Sequence, residues 1–278
     1  MDAPDLRAAV PASETTSVSA STQGRLVYAV GDVHGRYDLL TAILGAIATD
    51  ARDQVADEPA MLIFCGDYID RGPQSAEVVE ALTWLGNRPD FEVRLIKGNH
   101  EQALLRFLDR PEEADDWIRF GGAETLLSYG VQPPRVQEDR AAFVAARDGL
   151  LGNMPPPHLD LLQHLEPMVC VGDYAFVHAG IRPGAPLAEQ HEDDLLWIRD
   201  AFLDAPGPFE KVIVHGHTWT RGLQVLEHRI GIDTGAYATG ILTAARLHHD
   251  SLAIFDTSDW IRSQGSADTG GLPVSAMA

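Results

Sequence analysis

Asp32 and His34 stand two apart in Gly31-Asp32-Val33-His34-Gly35. At the end of an extended strand, residues so spaced point the same way and can share one cation. Asp67 opens a second block, Gly66-Asp67-Tyr68-Ile69-Asp70-Arg71-Gly72, and its carboxylate can bridge two cations. A third block, Gly98-Asn99-His100-Glu101, offers the neutral carbonyl oxygen of Asn99, a ligand for a site where other groups carry the charge. His178, after the apolar run 174–177, and His217, after 212–214, complete the set. Carboxylate, imidazole and amide oxygen without a thiolate make a donor set for divalent ions, in numbers suited to two ions about 3.5–4 Å apart. Each block alone has an ordinary reading as a solvated loop pair, a glycine turn or a backbone-bonded histidine. All five elements occurring in order at strand ends point instead to a metal-dependent phosphoesterase.

The first three blocks follow apolar runs at 26–30, 61–65 and 91–96 that predict β-strands. In open α/β sheets the loops after such strands converge on one crevice, where ligands bind. Leu39, Leu40, Ile43, Leu44 and Ile47 predict a helix over 37–47, and Val78, Val79, Leu82 and Leu85 another over 73–85. Residues 101–165 read as a helical insertion beside the crevice, serving either substrate selection or packing. Short strands return at 168–171, 174–177, 212–214, 223–226, 229–232, 241–247 and 252–255. Their close spacing predicts antiparallel hairpins in a second sheet packed on the first. The expected fold class is therefore α/β (α+β layered): a two-sheet β-sandwich flanked by helices, over residues 25–260. Residues 1–24 and 261–278, poor in large apolar side chains, are expected to be disordered.

Acidic residues outnumber basic ones 41 to 21, a formal charge of −20, which disfavours nucleic acid as a partner. No apolar run approaches the roughly 18–20 residues that span a bilayer, and the N-terminus lacks the basic start and apolar segment of a secretory signal. A cytoplasmic protein without membrane attachment is expected. The two cysteines, Cys65 and Cys170, lie in apolar runs and are expected as buried free thiols.

These residues resemble the phosphoprotein phosphatase (PPP) family of binuclear metallophosphoesterases, particularly its bacterial and phage serine/threonine phosphatases. The resemblance runs from about Leu26 to Leu247 and includes Val177-His178-Ala179-Gly180 and Gly216-His217-Thr218. It implies a calcineurin-like fold in which Asp32, His34 and Asp67 hold one metal and Asp67, Asn99, His178 and His217 the other. The expected ion is Mn²⁺, with Fe, Zn or Co as substitutes. It also implies direct attack of a metal-bridging hydroxide on phosphorus, with His100 protonating the leaving oxygen and Asp70 orienting and charging that imidazole. Arg71, Arg199 and Asn99 would hold the phosphate, Arg199 on the shorter match Trp197-Ile198-Arg199. Lys97 stands where relatives often have arginine, Trp219 where bacterial relatives usually have proline, and Tyr237 is placed at the site rim. His215 is expected to pack in its strand, and His158, His164, His191, His228, His248 and His249 receive no role.

The resemblance puts phosphoserine or phosphothreonine, and with them phosphotyrosine, first among substrates, as phosphoprotein or small phosphomonoester. The alternative is a symmetrical dinucleoside tetraphosphate hydrolase, a sister group that typically lacks the acid at Asp70 and has Asp in place of Glu101. A non-catalytic metal-binding scaffold is a further alternative, opposed by the intact ligand set.

Overall fold

The computed structural model describes residues 16–54, 58–135, 140–258 and 260. Strands β2 (Val27–Val30), β3 (Ala60–Phe64) and β4 (Phe91–Leu95) lie side by side and parallel. Helices α1 (Tyr37–Asp53) and α2 (Ser75–Gly86) make the two crossovers, which parallel neighbours require because consecutive strands must restart from the same edge. On the far side of β2, strand β10 (Thr243–His248) pairs antiparallel, followed by β11 (Ser251–Asp256) and the short β1 (Thr16–Ser17). The first sheet thus has six strands, in the order β1-β11-β10-β2-β3-β4.

The second sheet contains β5 (Val169–Val171), β6 (Tyr174–Phe176), β7 (Val212–His215), β9 (Arg229–Gly231) and β8 (Gln224–Val225), in that spatial order. Its inner pairs β6–β7 and β7–β9 are parallel, and only the outer pairs are antiparallel. This corrects the expectation of one antiparallel sheet for every strand after residue 168. Short apolar runs disclose strand character but not the partner, so β10 and β11 were not separable by pattern from the strands that form the second sheet.

Alternation builds the layers. Tyr28, Val30, Leu62 and Phe64 face α1 and α2 and pack with Leu39, Ile43, Val78 and Leu82. Val27, Ala29, Met61 and Ile63 face the second sheet and meet Val169, Phe176, Val214 and Ile230. On the outer face of the second sheet, Ala175, Val177 and Ile213 are covered by Ile181, Leu195 and Phe202.

The insertion begins at α3 (Asn99–Asp109) and continues through a three-residue α4 (Asp115–Trp117), a π-helical turn at Ile118–Gly122, α5 (Ala123–Ser128), α6 (Arg140–Asn153) and α7 (Pro156–Gln163). Leu104, Phe107, Leu126, Phe143 and Leu162 share one core with the α1/α2 layer, so the insertion extends that layer.

Two further expectations change. Part of the segment expected to be disordered is ordered: Thr16–Ser17 pair with β11, and Ala20 and Thr22 are buried. Residues 1–15 and 261–278 lie outside the described residues. Cys65 is buried as expected, but Cys170 is exposed, because it occupies the outward position of the edge strand β5. Among the described residues, no helix is long and apolar enough to cross a membrane.

Candidate metal centre

Asp32 and His34 follow β2, Asp67 follows β3 and Asn99 opens α3 just after β4. His178 follows β6 and His217 follows β7, so both sheets contribute side chains at one edge of the sandwich. The backbone binds these loops to one another. Val33 and His34 donate their N–H groups to the Asp67 carbonyl at 3.1 and 2.8 Å, and Gly216 donates to the His178 carbonyl at 2.8 Å. Glu101, fully buried, accepts the N–H groups of Asp67, Tyr68 and Gly98 at 2.8–3.0 Å. Gly98 must lack a side chain, since a Cβ there would lie 2.2 Å from Asp67 Oδ1.

Positive φ angles concentrate here. Among the described residues other than glycine, seven adopt them, and five of those are His34, Asp67, Asp70, Arg71 and His217. Such conformations persist only where the surroundings over-determine them, and they cluster at functional sites.

Asp67 belongs to two groups whose potential ligand atoms lie within 4.8 Å of one another, His34–Asp67–His100 and Asp67–His178–His217. His34 Nδ1 is 2.8 Å from the Ile69 carbonyl and His178 Nδ1 is 2.8 Å from the Cys65 carbonyl. A carbonyl only accepts, so each Nδ1 donates and each Nε2 is left with a lone pair turned into the site. His178 Nε2 lies 2.8 Å from Asn99 Oδ1 and 3.1 Å from His217 Nδ1, and the buried His217 Nε2 has no hydrogen-bond partner. Lone-pair atoms gathered this closely away from water fit a divalent cation between them.

The charges agree with that fit. Burial would raise the Asp67 carboxyl, but His178, His100, His34 and His217 around it hold it well below the usual carboxylate range. Burial lowers His34 to about 3 and, with His178 beside it, His217 to about 2, so both rings are neutral at ordinary pH, the form that can bind a cation. Asp32 is pushed up by burial and by Asp233, and burial pushes Asp233 up to about 6. Asp32 lies outside the two compact groups: its carboxylate accepts the His217 N–H at 3.0 Å and is hydrogen-bonded to Asp233.

His100 faces Asp70, with Nδ1 2.6 Å from Oδ2. Trp117 Nε1 and Thr125 Oγ1 donate to the same carboxylate at 2.8 and 2.6 Å. Burial pulls the His100 pKa down, but Asp67 and Asp70 together carry it above its ordinary value. Arg71 meets His100 Nε2 at 3.0 Å and lies over the Tyr237 ring at 4.5 Å, while Tyr237 stands edge-on to His34 at 5.2 Å. Arg71 thus rests on the His100–Asp70 pair, and Tyr237 lies beside a candidate ligand.

Arg199 is exposed in the turn between α8 (Glu192–Trp197) and α9 (Asp200–Leu203), and its charge bears on His178 and His217. Lys97 pairs with Glu192 at 2.7 Å. His215 packs edge-on against Phe202 at 5.1 Å, as its strand position predicts. His158, given no role, is buried between Tyr129 and Glu80, at 2.9 and 2.8 Å.

Sequence reasoning missed Asp233, Trp117 and Thr125. Asp233 had a usable signal: it follows β9 in Ile232-Asp233-Thr234-Gly235, one more strand end with a carboxylate and a glycine turn. Trp117 and Thr125 had none, because an irregular stretch carries no period that would aim them at Asp70.

The family profile described as "Calcineurin-like phosphoesterase" matches residues 26–235. The chain is 26% identical over 261 residues to the asymmetrical bis(5'-nucleosyl)-tetraphosphatase PrpE of Bacillus velezensis, covering 87% of this chain and 97% of that one. It is 29% identical to a symmetrical bis(5'-nucleosyl)-tetraphosphatase of Janthinobacterium sp. (strain Marseille), covering 79% of this chain and 92% of that one. It is also 29% identical to serine/threonine-protein phosphatase 2 of Escherichia coli K12, covering 79% and 91%.

Proposed function

The chain belongs to the calcineurin-like phosphoesterase family, and from that premise we propose that it hydrolyses dinucleoside tetraphosphates at a pair of divalent metals. The observation that carries this reading is that relatives matched over nearly their whole length are mostly named as tetraphosphatases, with 97% and 92% of two such chains covered, against one named as a serine/threonine phosphatase. It reverses the order expected from sequence, in which protein phosphatase stood first.

His34, Asp67, His178, His217, Asn99 and Asp32 would hold the metals. When bound, such ions supply a nucleophilic hydroxide near neutral pH and neutralise charge on the phosphoryl oxygens. The remaining steps belong to the chain. Arg199 and Arg71 bind phosphate oxygens through their planar guanidinium forks. A new oxygen–phosphorus bond forms as the anhydride bond breaks, and the departing nucleotide takes the bonding pair. Once Arg71, which donates to His100 Nε2 at 3.0 Å, turns to the phosphate, His100 would hold a proton at Nε2 for the leaving oxygen, while Asp70 accepts from Nδ1 and stabilises the charged ring.

A second reading, phosphomonoester hydrolysis on phosphoserine or phosphothreonine, is favoured by the Asp70–His100 pair, since a serine alkoxide leaves only with a proton. The deciding measurement is kcat/KM for diadenosine tetraphosphate against a phosphoserine peptide, with chromatography of the products. A clear preference for the dinucleotide is expected. A preference for the peptide transfers the function to the second reading. Two ADP, or ATP plus AMP, distinguishes symmetrical from asymmetrical cleavage.

A further inference from the structure

Two tryptophans beside the metal centre keep much of their surface in water: Trp197 is 47% exposed and Trp219 is 43% exposed. Trp197, the last residue of α8, stands edge-on to the candidate ligand His217 with ring centres 6.4 Å apart. Its indole N–H is already used, donating to Gln102 Oε1 at 2.8 Å, so the ring is tethered and its apolar faces remain. Gln102 lies on α3, the helix that carries Asn99 and His100.

Trp219 follows His217 by two residues and rests on the turn after β9. A Cβ at Gly235 would lie 3.0 Å from its indole, so a glycine with a left-handed φ of +68° makes room for the ring. That turn also carries Tyr237, which stands against His34. Both indoles are thus built into the rim of the phosphate-handling site, yet neither is spent in the core.

We propose that Trp197 and Trp219 form the platform on which a nucleobase of the substrate stacks. The inference rests on the dinucleotide reading and names the part of that substrate the rim recognises. A base lies one ribose away from its 5'-phosphate, a span compatible with the step from His217 to Trp197. Every base has a π-face, so stacking on indole is sequence-tolerant and strong. Asp193, joined to Trp197 through Gln102, supplies a nearby acceptor for ribose hydroxyls or an exocyclic amine.

The test isolates the base. AMP and ribose 5-phosphate share phosphate and sugar, and both are measured as competitive inhibitors of p-nitrophenyl phosphate hydrolysis by the metal-loaded full chain. AMP should inhibit at least about fivefold more tightly, in line with base–aromatic stacking. That preference should collapse in Trp197→Leu/Trp219→Leu and survive in Trp197→Phe, which keeps a ring. Trp84→Leu, at an equally exposed tryptophan on α2 stacked with Arg88, should retain it. If the double variant folds poorly, Trp197→Leu and Trp219→Leu singly should each reduce the preference.

Equal inhibition by the two compounds in the wild type overturns the platform, as does a preference that persists in the variants. A rise in KM for a phosphoserine peptide with no change in the AMP preference also overturns it, assigning the rim to polypeptide. If diadenosine tetraphosphate is not cleaved while AMP is still preferred through these tryptophans, the dinucleotide reading falls and the platform stands.

Discussion

His100 Nδ1 lies 2.6 Å from Asp70 Oδ2, with side chains only 4% and 0% exposed. Trp117 and Thr125 hold the same carboxylate from the insertion, so the imidazole is aimed by a partner that cannot turn away.

This pairing predicts a leaving-group dependence. His100→Asn should cost about 10²–10⁴-fold in kcat on a phosphoserine peptide, the range of general acid–base catalysis. The loss on p-nitrophenyl phosphate, whose phenolate leaves unaided, should be distinctly smaller. Asp70→Asn should repeat the pattern in milder form. Steady-state kinetics with metal content checked decides it: equal losses on both substrates would make His100 a positioning residue.

Chelation should abolish activity and lower thermal stability together. The ligands come from both sheets, and an ion bound only by the folded state stabilises it by mass action. Asp67→Asn should be the most damaging ligand change, exceeding the about 10–100-fold loss typical of groups that merely support a ligand. Calorimetry with and without chelator tests the first part. An unchanged melting temperature would uncouple the site from the fold.

Glu101→Ala should destabilise the protein by about 2–5 kcal/mol, since several buried N–H groups lose their acceptor at about 1–3 kcal/mol each. Those groups belong to Asp67, Tyr68 and Gly98. Urea unfolding measures it, and a change below about 1 kcal/mol would mean that water replaces the carboxylate.

Arg199→Ala should weaken inhibition by phosphate and lower kcat/KM by about tenfold or more, as expected for losing a charge-assisted hydrogen bond. Product-inhibition curves are the readout. Wild-type values in both would leave Arg199 a surface residue.

The convergence of the candidate ligand loops was legible because each chemical block sits where an apolar run stops, and a strand's end fixes where its next residues point. His34 and Asp67 needed only that rule. Arg71 did not follow it: its guanidinium lies on His100 and Tyr237, residues distant in sequence. The partners of Asp70 were hidden in the insertion, where a π-helical turn separates Trp117 from Thr125 and breaks helical spacing. Strand partners were hidden for another reason. Alternation tells which face is buried but not what covers it, so β10 and β11 read no differently from β9.

The left-handed backbone at His34, Arg71 and His217 sets catalysis against robustness. Each is a position where glycine would be conformationally cheaper, at about 1–3 kcal/mol of relief per residue. At His34 and His217 that relief is offset by the buried contacts of the rings and by the ion they would hold, so only at Arg71, partly buried and no candidate ligand, would selection for surviving heat alone favour glycine. There heat tolerance would rise as phosphate binding weakened, so selection for turnover is what keeps an arginine in that strained position.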